Sequence, residues 1–154
     1  MQFFSYTTIF TLLLSAATRT SLAAPLSMAA PNAAEWTIEG LSRTCDDGDK
    51  TCVWKFSVNT GEEGVAATTV GNYTVVATDA APASRAIGGP QKFGNYTVTS
   101  TWSGQFGEGE GFTTLSVIDY DKGLIVYPAY KDTQLVNGQA VAPDQSYPVQ
   151  TIPQ

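Results

Sequence analysis

The 154-residue chain contains no histidine. That absence removes the commonest general base, the commonest neutral metal ligand and the usual charge switch near neutral pH. Serine-histidine and cysteine-histidine catalysis are excluded, and two cysteines alone cannot complete a zinc site. Positive charge is scarce: 8 Lys and Arg stand against 14 Asp and Glu, with no basic cluster along the chain. A nucleic-acid or phosphate-binding role is therefore not expected. Long apolar runs are missing too, since the stretch from Ile9 to Ala17 falls short of the ~20 residues that cross a bilayer. Neither a membrane span, a metal nor a cofactor is expected. Carboxylates, Lys, Tyr and hydroxyls are what remain for chemistry.

What is present begins with an address. Phe3 and Phe4 lead into the apolar run, and Ser21-Leu22-Ala23 sets small residues at the two positions a signal peptidase reads. Residues 1–23 read as a signal peptide, which predicts an extracellular, secreted protein. Residues 24–34 contain Pro25 and Pro31 among small side chains and read as a flexible mature N-terminus. Residues 35–154 have the size of one domain. Their low charge content, glycines, and many Thr and Val residues suit β-strands with polar, uncharged outer faces.

Alternation places the strands. Glu35 to Leu41 alternates only loosely, whereas Cys52, Trp54, Phe56 and Val58 share one face of the next run. Asp46-Asp47-Gly48-Asp49 between them supplies turn residues, so the two runs form a hairpin. Cys45 and Cys52 bracket that turn. In an exported chain they form a disulfide, which for so short a loop contributes roughly 2 to 3 kcal/mol in the chain-entropy model.

An internal echo follows: Gly71-Asn72-Tyr73-Thr74-Val75 recurs as Gly94-Asn95-Tyr96-Thr97-Val98. Each copy is expected to open a strand, and in the second Tyr96, Val98, Ser100 and Trp102 share a face that should be buried. The Ala-, Gly- and Pro-rich stretch from Asp79 to Pro90 connects the copies and is expected to cross between sheets. Gly104 to Gly111 is a loop, Phe112 to Asp119 a strand, and Asp121-Lys122-Gly123 a turn. Leu124 to Tyr127 is apolar on both faces and reads as a central strand ended by Pro128. Asp132 is expected to cap a helical turn reaching Val136, and a last short strand is expected over Tyr147 to Ile152. The fold class is all-β: a single-domain antiparallel β-sandwich or small β-barrel with six to seven strands and at most one short helical turn.

Several residue groups invite functional readings. Asn72-Tyr73-Thr74 and Asn95-Tyr96-Thr97 are acceptor sequons, so Asn72 and Asn95 are candidate N-glycosylation sites in an exported chain. Asp46, Asp47 and Asp49 gather hard oxygen ligands, but their spacing does not match an EF-hand and a solvated turn is the better reading. Glu108, Glu110, Asp119 and Asp121 could supply a glycosidase pair, although each sits beside a turn and reads better as a loop charge. Trp36, Trp54, Trp102, Phe106, Phe112, Tyr127 and Tyr130 are aromatic faces that stack on sugars or line an apolar pocket when exposed. Most belong in a core. Phe106 and Tyr130, placed in loops, are the candidate ligand or partner contacts.

Taken together, five segments resemble one family. They are Glu35-Trp36-Thr37-Ile38-Glu39-Gly40-Leu41-Ser42-Arg43-Thr44-Cys45, Cys52-Val53-Trp54-Lys55-Phe56, Tyr96 to Phe106, Gly111 to Val117, and Leu124 to Tyr130. They are similar to small secreted fungal proteins that induce the hypersensitive response, and Trp102-Ser103-Gly104-Gln105-Phe106 and Phe112-Thr113-Thr114-Leu115-Ser116-Val117 are distinctive stretches. The resemblance implies a non-enzymatic effector or elicitor perceived by plant cells, with a plant cell-surface component or cell-wall polysaccharide as partner. It carries no catalytic residue across. It also implies a second cysteine pair near the two Tyr-Thr-Val strands, where this chain has glycine, asparagine and valine. Rival readings are an extracellular module binding wall carbohydrate or a small apolar ligand, and a structural component of the cell wall.

Overall fold

The structure, a computed structural model, describes residues 34–152. The expected signal peptide and all of the flexible N-terminus except Ala34 lie outside the described residues. Ten strands follow in order: β1 (Glu35–Cys45), β2 (Thr51–Asn59), β3 (Thr68–Val76), β4 (Gly88–Phe93), β5 (Tyr96–Ser103), β6 (Phe112–Asp119), β7 (Leu124–Val126), β8 (Ala129–Lys131), β9 (Gln145–Pro148) and β10 (Gln150–Thr151). Two antiparallel sheets result, one ordered β3-β2-β1-β9 and the other β10-β7-β6-β5-β4, with β8 pairing beside β6. This is a sandwich and not a closed barrel. None of the described helices is long and apolar enough to cross a membrane.

Ten strands replace the six to seven expected, for local reasons. β4 opens with Gly88-Gly89-Pro90, residues that signal a loop and here pair irregularly with β5. β8 is only three residues long and follows the break at Pro128. The expected terminal strand is two strands, because Pro148 ends β9 and the chain passes directly into β10 in the opposite sheet. Two 3-10 turns, Ala83–Arg85 and Asp132–Gln134, also replace the one helical turn expected. In the second, Lys131 and not Asp132 holds the N-cap position. β7 lies one place from the sheet edge instead of at its centre, covered there by the two residues of β10.

The core follows the alternation where the ladder is regular. Trp54, Phe56 and Val58 of β2 face Val98 of β5 and Leu115 and Val117 of β6, all essentially removed from water. Tyr96 and Ser100 are buried as their shared face requires, with Trp102 half-buried at its end. The loose alternation of β1 has a physical cause. Gly40, with φ of 60°, forms a bulge between the pairs Glu39–Ser57 and Ser42–Lys55, and its N–H donates to Asp144 Oδ1 at 2.8 Å. The extra residue flips the inward parity from Trp36 and Ile38 to Leu41 and Arg43. A cation is thereby turned toward the interior.

The Cys45–Cys52 disulfide forms across the mouth of the β1–β2 hairpin, where the two residues are paired in register. In the turn it closes, the positive φ falls on Asp49 and not on the Asp47-Gly48 pair. The free side of β1 beyond β9 is covered by residues 137–141. Asn137 accepts from the Cys45 N–H through Oδ1 at 2.7 Å and donates to the Cys45 carbonyl at 3.3 Å, imitating a paired strand with one amide.

Candidate functional site

The bulge-turned Arg43 organises one end of the sandwich. Its guanidinium lies 5.4 Å from the Trp54 ring centroid, 3.8 Å from Asp132 Oδ1, and donates to the Ser84 carbonyl at 3.3 Å. Burial pulls its pKa below the usual arginine range, and the charges of Asp132 and Asp49 oppose that pull. Asp132 also accepts from Trp102 Nε1 at 2.9 Å. Asp49 accepts from both the backbone N–H and the hydroxyl of Ser84. The network ties the disulfide hairpin, the crossover between sheets and the turn after β8 into one unit.

On that base sits the loop from Gly104 to Gly111. A Cβ at Gly104 would come within 2.4 Å of the Trp102 indole, and one at Gly111 within 2.4 Å of Asp132. The glycines are there because the loop backbone lies against the indole. Two concavities share this loop and the turn after β8. One, of about 670 Å³, is lined by Trp102, Asp132, Glu108 and Arg85, whose guanidinium lies 5.1 Å from the Trp102 ring centroid. The other, of about 690 Å³, is lined by Phe106, Phe112, Tyr130, Glu110, Lys131 and Gln134. Phe106 stacks on Phe112 with centroids 5.7 Å apart yet remains 69% exposed.

The two aromatic contacts read from the sequence therefore separate. Phe106 is an exposed loop side chain, while Tyr130 belongs to β8 and is 1% exposed. Its place in a loop is corrected: pairing of Thr113 with Tyr130 between β6 and β8 draws the ring inward, where it forms the floor of the second concavity. Burial raises the Tyr130 pKa well above the usual tyrosine value, and its hydroxyl has no hydrogen-bond partner among the described residues. Trp36 and Trp54 are core, and Tyr127 is exposed.

Asp119 lies at the opposite end of β6 from the loop that carries Glu108 and Glu110, too far from either to complete a glycosidase pair with it. Glu108 lines the first concavity and Glu110 the second, where Lys131 Nζ pairs with it at 3.1 Å. Asp119 is buried and accepts from the Lys122 N–H at 2.9 Å, at the end of β6 opposite the loop. Seven residue steps of strand separate those ends, roughly 23 Å, against a required separation of roughly 5 to 9.5 Å. In the disulfide turn Asp46 Oδ1 accepts from the Lys50 N–H at 2.8 Å and serves the local backbone, whereas Asp49 accepts from Ser84 of the crossover. Cys45 and Cys52 lie near Asp49, but their sulfurs are joined to each other.

Arg43, Arg85 and Asp132 were not legible as site residues. The only signal for Arg43 is the lapse in alternation at Gly40. The sequons occupy different settings, both exposed: Asn72 within β3 and Asn95 in the turn between β4 and β5.

Comparison with known proteins adds two findings. The family model described as Effector TSP1 matches residues 37–152. Effector TSP1 of Hypocrea virens is 46% identical over 143 residues, which cover 87% of this chain and 94% of that protein.

Proposed function

We propose that this chain, which belongs to the Effector TSP1 family, is an exported fungal effector that acts outside the cell by being bound, without catalysing a reaction. The observation that carries the reading is the family match, which spans residues 37–152 and so takes in nearly all of the described β domain. Export agrees with the Cys45–Cys52 disulfide, a bond that persists in oxidising compartments. The host-facing surface is the Gly104–Gly111 loop, where the exposed Phe106 lines one of two concavities on a base fixed by Trp102 and Asp132. A rigid scaffold holding an exposed aromatic on a loop suits recognition by a protein or a wall polysaccharide.

Infiltrating the purified mature protein into leaves, beside a reduced and alkylated control, tests the reading. A defence response or local cell death with the native protein alone is expected, and weakened by Phe106→Ala. Absence of response across hosts, with equal inertness of both preparations, would overturn it. The second reading, a module for wall carbohydrate, draws on the same aromatic. Retention on chitin, glucan or cellulose that Phe106→Ala abolishes would place it first.

A further inference from the structure

The two sequons lie beside one seam. β3 is an edge of the first sheet and β4 an edge of the second, and no strand ladder joins them. Instead the Gln91 side chain of β4 accepts from the Thr74 N–H at 3.1 Å and donates to the Thr74 carbonyl at 2.6 Å. Thr74 is the hydroxyl residue of the first sequon. Further along, a Cβ at Gly94 would lie 3.4 Å from the Thr68 side chain of β3, and Gly94 precedes the acceptor of the second sequon. Tyr73 and Phe93 meet edge-on between them, with ring centroids 6.5 Å apart.

Both acceptor amides are turned to solvent from this seam. Asn72 is exposed at φ of 63° in a bulge, flanked by the fully buried Tyr73, and borders an outer-face concavity of about 430 Å³ with Thr44, Thr51, Val53 and Lys55. Asn95 is exposed at the tip of the β4–β5 hairpin. Neither lines the concavities beside the Gly104–Gly111 loop, which is joined to the end of β5 opposite Asn95, about 23 Å of strand away.

We propose that Asn72 and Asn95 each carry an N-linked glycan, and that the pair covers the β3–β4 seam while the Gly104–Gly111 loop stays bare. An open sheet edge invites pairing with another chain, and a bulky hydrophilic group beside it blocks that approach. In the transfer, the asparagine Nδ2 forms a bond to C1 of a lipid-linked oligosaccharide. The C1–O bond to the lipid diphosphate breaks, the diphosphate leaves with the electron pair, and the amide gives up one proton. The proposal rests on export through a glycosylating secretory route.

The test expresses the full chain, and in parallel a chain with residues 1–23 replaced by a proven secretory leader, in a fungal host. Secreted wild type, Asn72→Gln, Asn95→Gln and the double variant are compared by intact mass before and after treatment with a peptide N-glycosidase, which hydrolyses the asparagine–glycan amide bond. Two glycan masses are expected on wild type, one on each single variant and none on the double. Secreted protein from the proven leader that lacks either glycan overturns the proposal. Retention of only the native-leader chain in the cell overturns native export and leaves acceptor competence to be read from the other arm. The sequons also have a readout independent of folding of the variants: site-specific asparagine-to-aspartate conversion in the released wild-type peptides, expected at both positions.

Discussion

Gly71 to Val75 and Gly94 to Val98 are the same five residues set into two backbones. In the first, the string lies within β3, and the ladder slips between the pairs Trp54–Tyr73 and Phe56–Val70. The residue that takes positive φ there is Asn72, at 63°. In the second, the string supplies the β4–β5 turn and the start of β5, and the residue that takes positive φ is Gly94, at 57°. The tyrosine is buried in both. Tyr73 donates to Ser100 Oγ at 3.0 Å, and Tyr96 meets the Trp36 ring edge-on at 5.3 Å. An aromatic between two polar residues fixes which side chain goes inward, whereas the partner strand decides which neighbour must bend.

The largest test of that equivalence is truncation. Tyr73→Ala and Tyr96→Ala should each cost about 3 to 5 kcal/mol, as large aromatic deletions in cores do. Urea unfolding measures both, and a loss below about 1 kcal/mol at one site would show that the two tyrosines are not equivalent anchors. The next test separates the copies. Gly94→Ala forces a Cβ into the left-handed region and should cost about 1 to 2 kcal/mol. Gly71→Ala meets nothing within 4 Å and should be neutral or stabilise by up to about 1 kcal/mol. Equal effects in the two copies would contradict the two backbone settings.

Smaller still is the hydroxyl of Tyr73. Tyr73→Phe leaves Ser100 without that donor and should cost about 1 kcal/mol. It should also flatten the response to alkali. Burial raises the pKa of Tyr73 and of Tyr96 above the usual value of 10.0, the latter helped by Asp119. Above pH 10 the unfolded chain therefore releases protons that the folded chain keeps. The stability these groups contribute is complete below the unfolded value and declines as pH rises through the folded ones. Urea midpoints between pH 9 and 11.5 should fall for wild type and fall less for Tyr73→Phe. Identical slopes would exclude Tyr73 as a source of the decline.

Regular alternation made β2, β5 and β6 legible, because each keeps one face against the opposing sheet throughout. The β1 pattern was blurred by the Gly40 bulge, which also hid Arg43. A bulge changes parity without leaving any motif longer than a glycine. β4 was missed because its function in the ladder starts beside glycines that are needed for space: a Cβ at Gly88 would come within 2.0 Å of the Tyr73 hydroxyl. Phe106 was readable as a loop aromatic. Tyr130 was not readable as buried, since three residues between Pro128 and a 3-10 turn carry too little pattern to announce a strand.

The sequence by itself determined the all-β class, the hairpin that places Cys45 opposite Cys52, and the inward tyrosine of each repeated string, because these depend on period-two burial and short-range turn chemistry. Tertiary structure alone decided that Arg43 meets Asp132, that the Gly104–Gly111 loop rests on Trp102, and that both sequons flank one seam. The Arg43–Asp132 pair and the seam join residues tens of positions apart, and they follow from sheet order and bulge position, which pairing between distant strands sets and local sequence does not encode; the loop is held on Trp102 through Asp132, thirty positions further along.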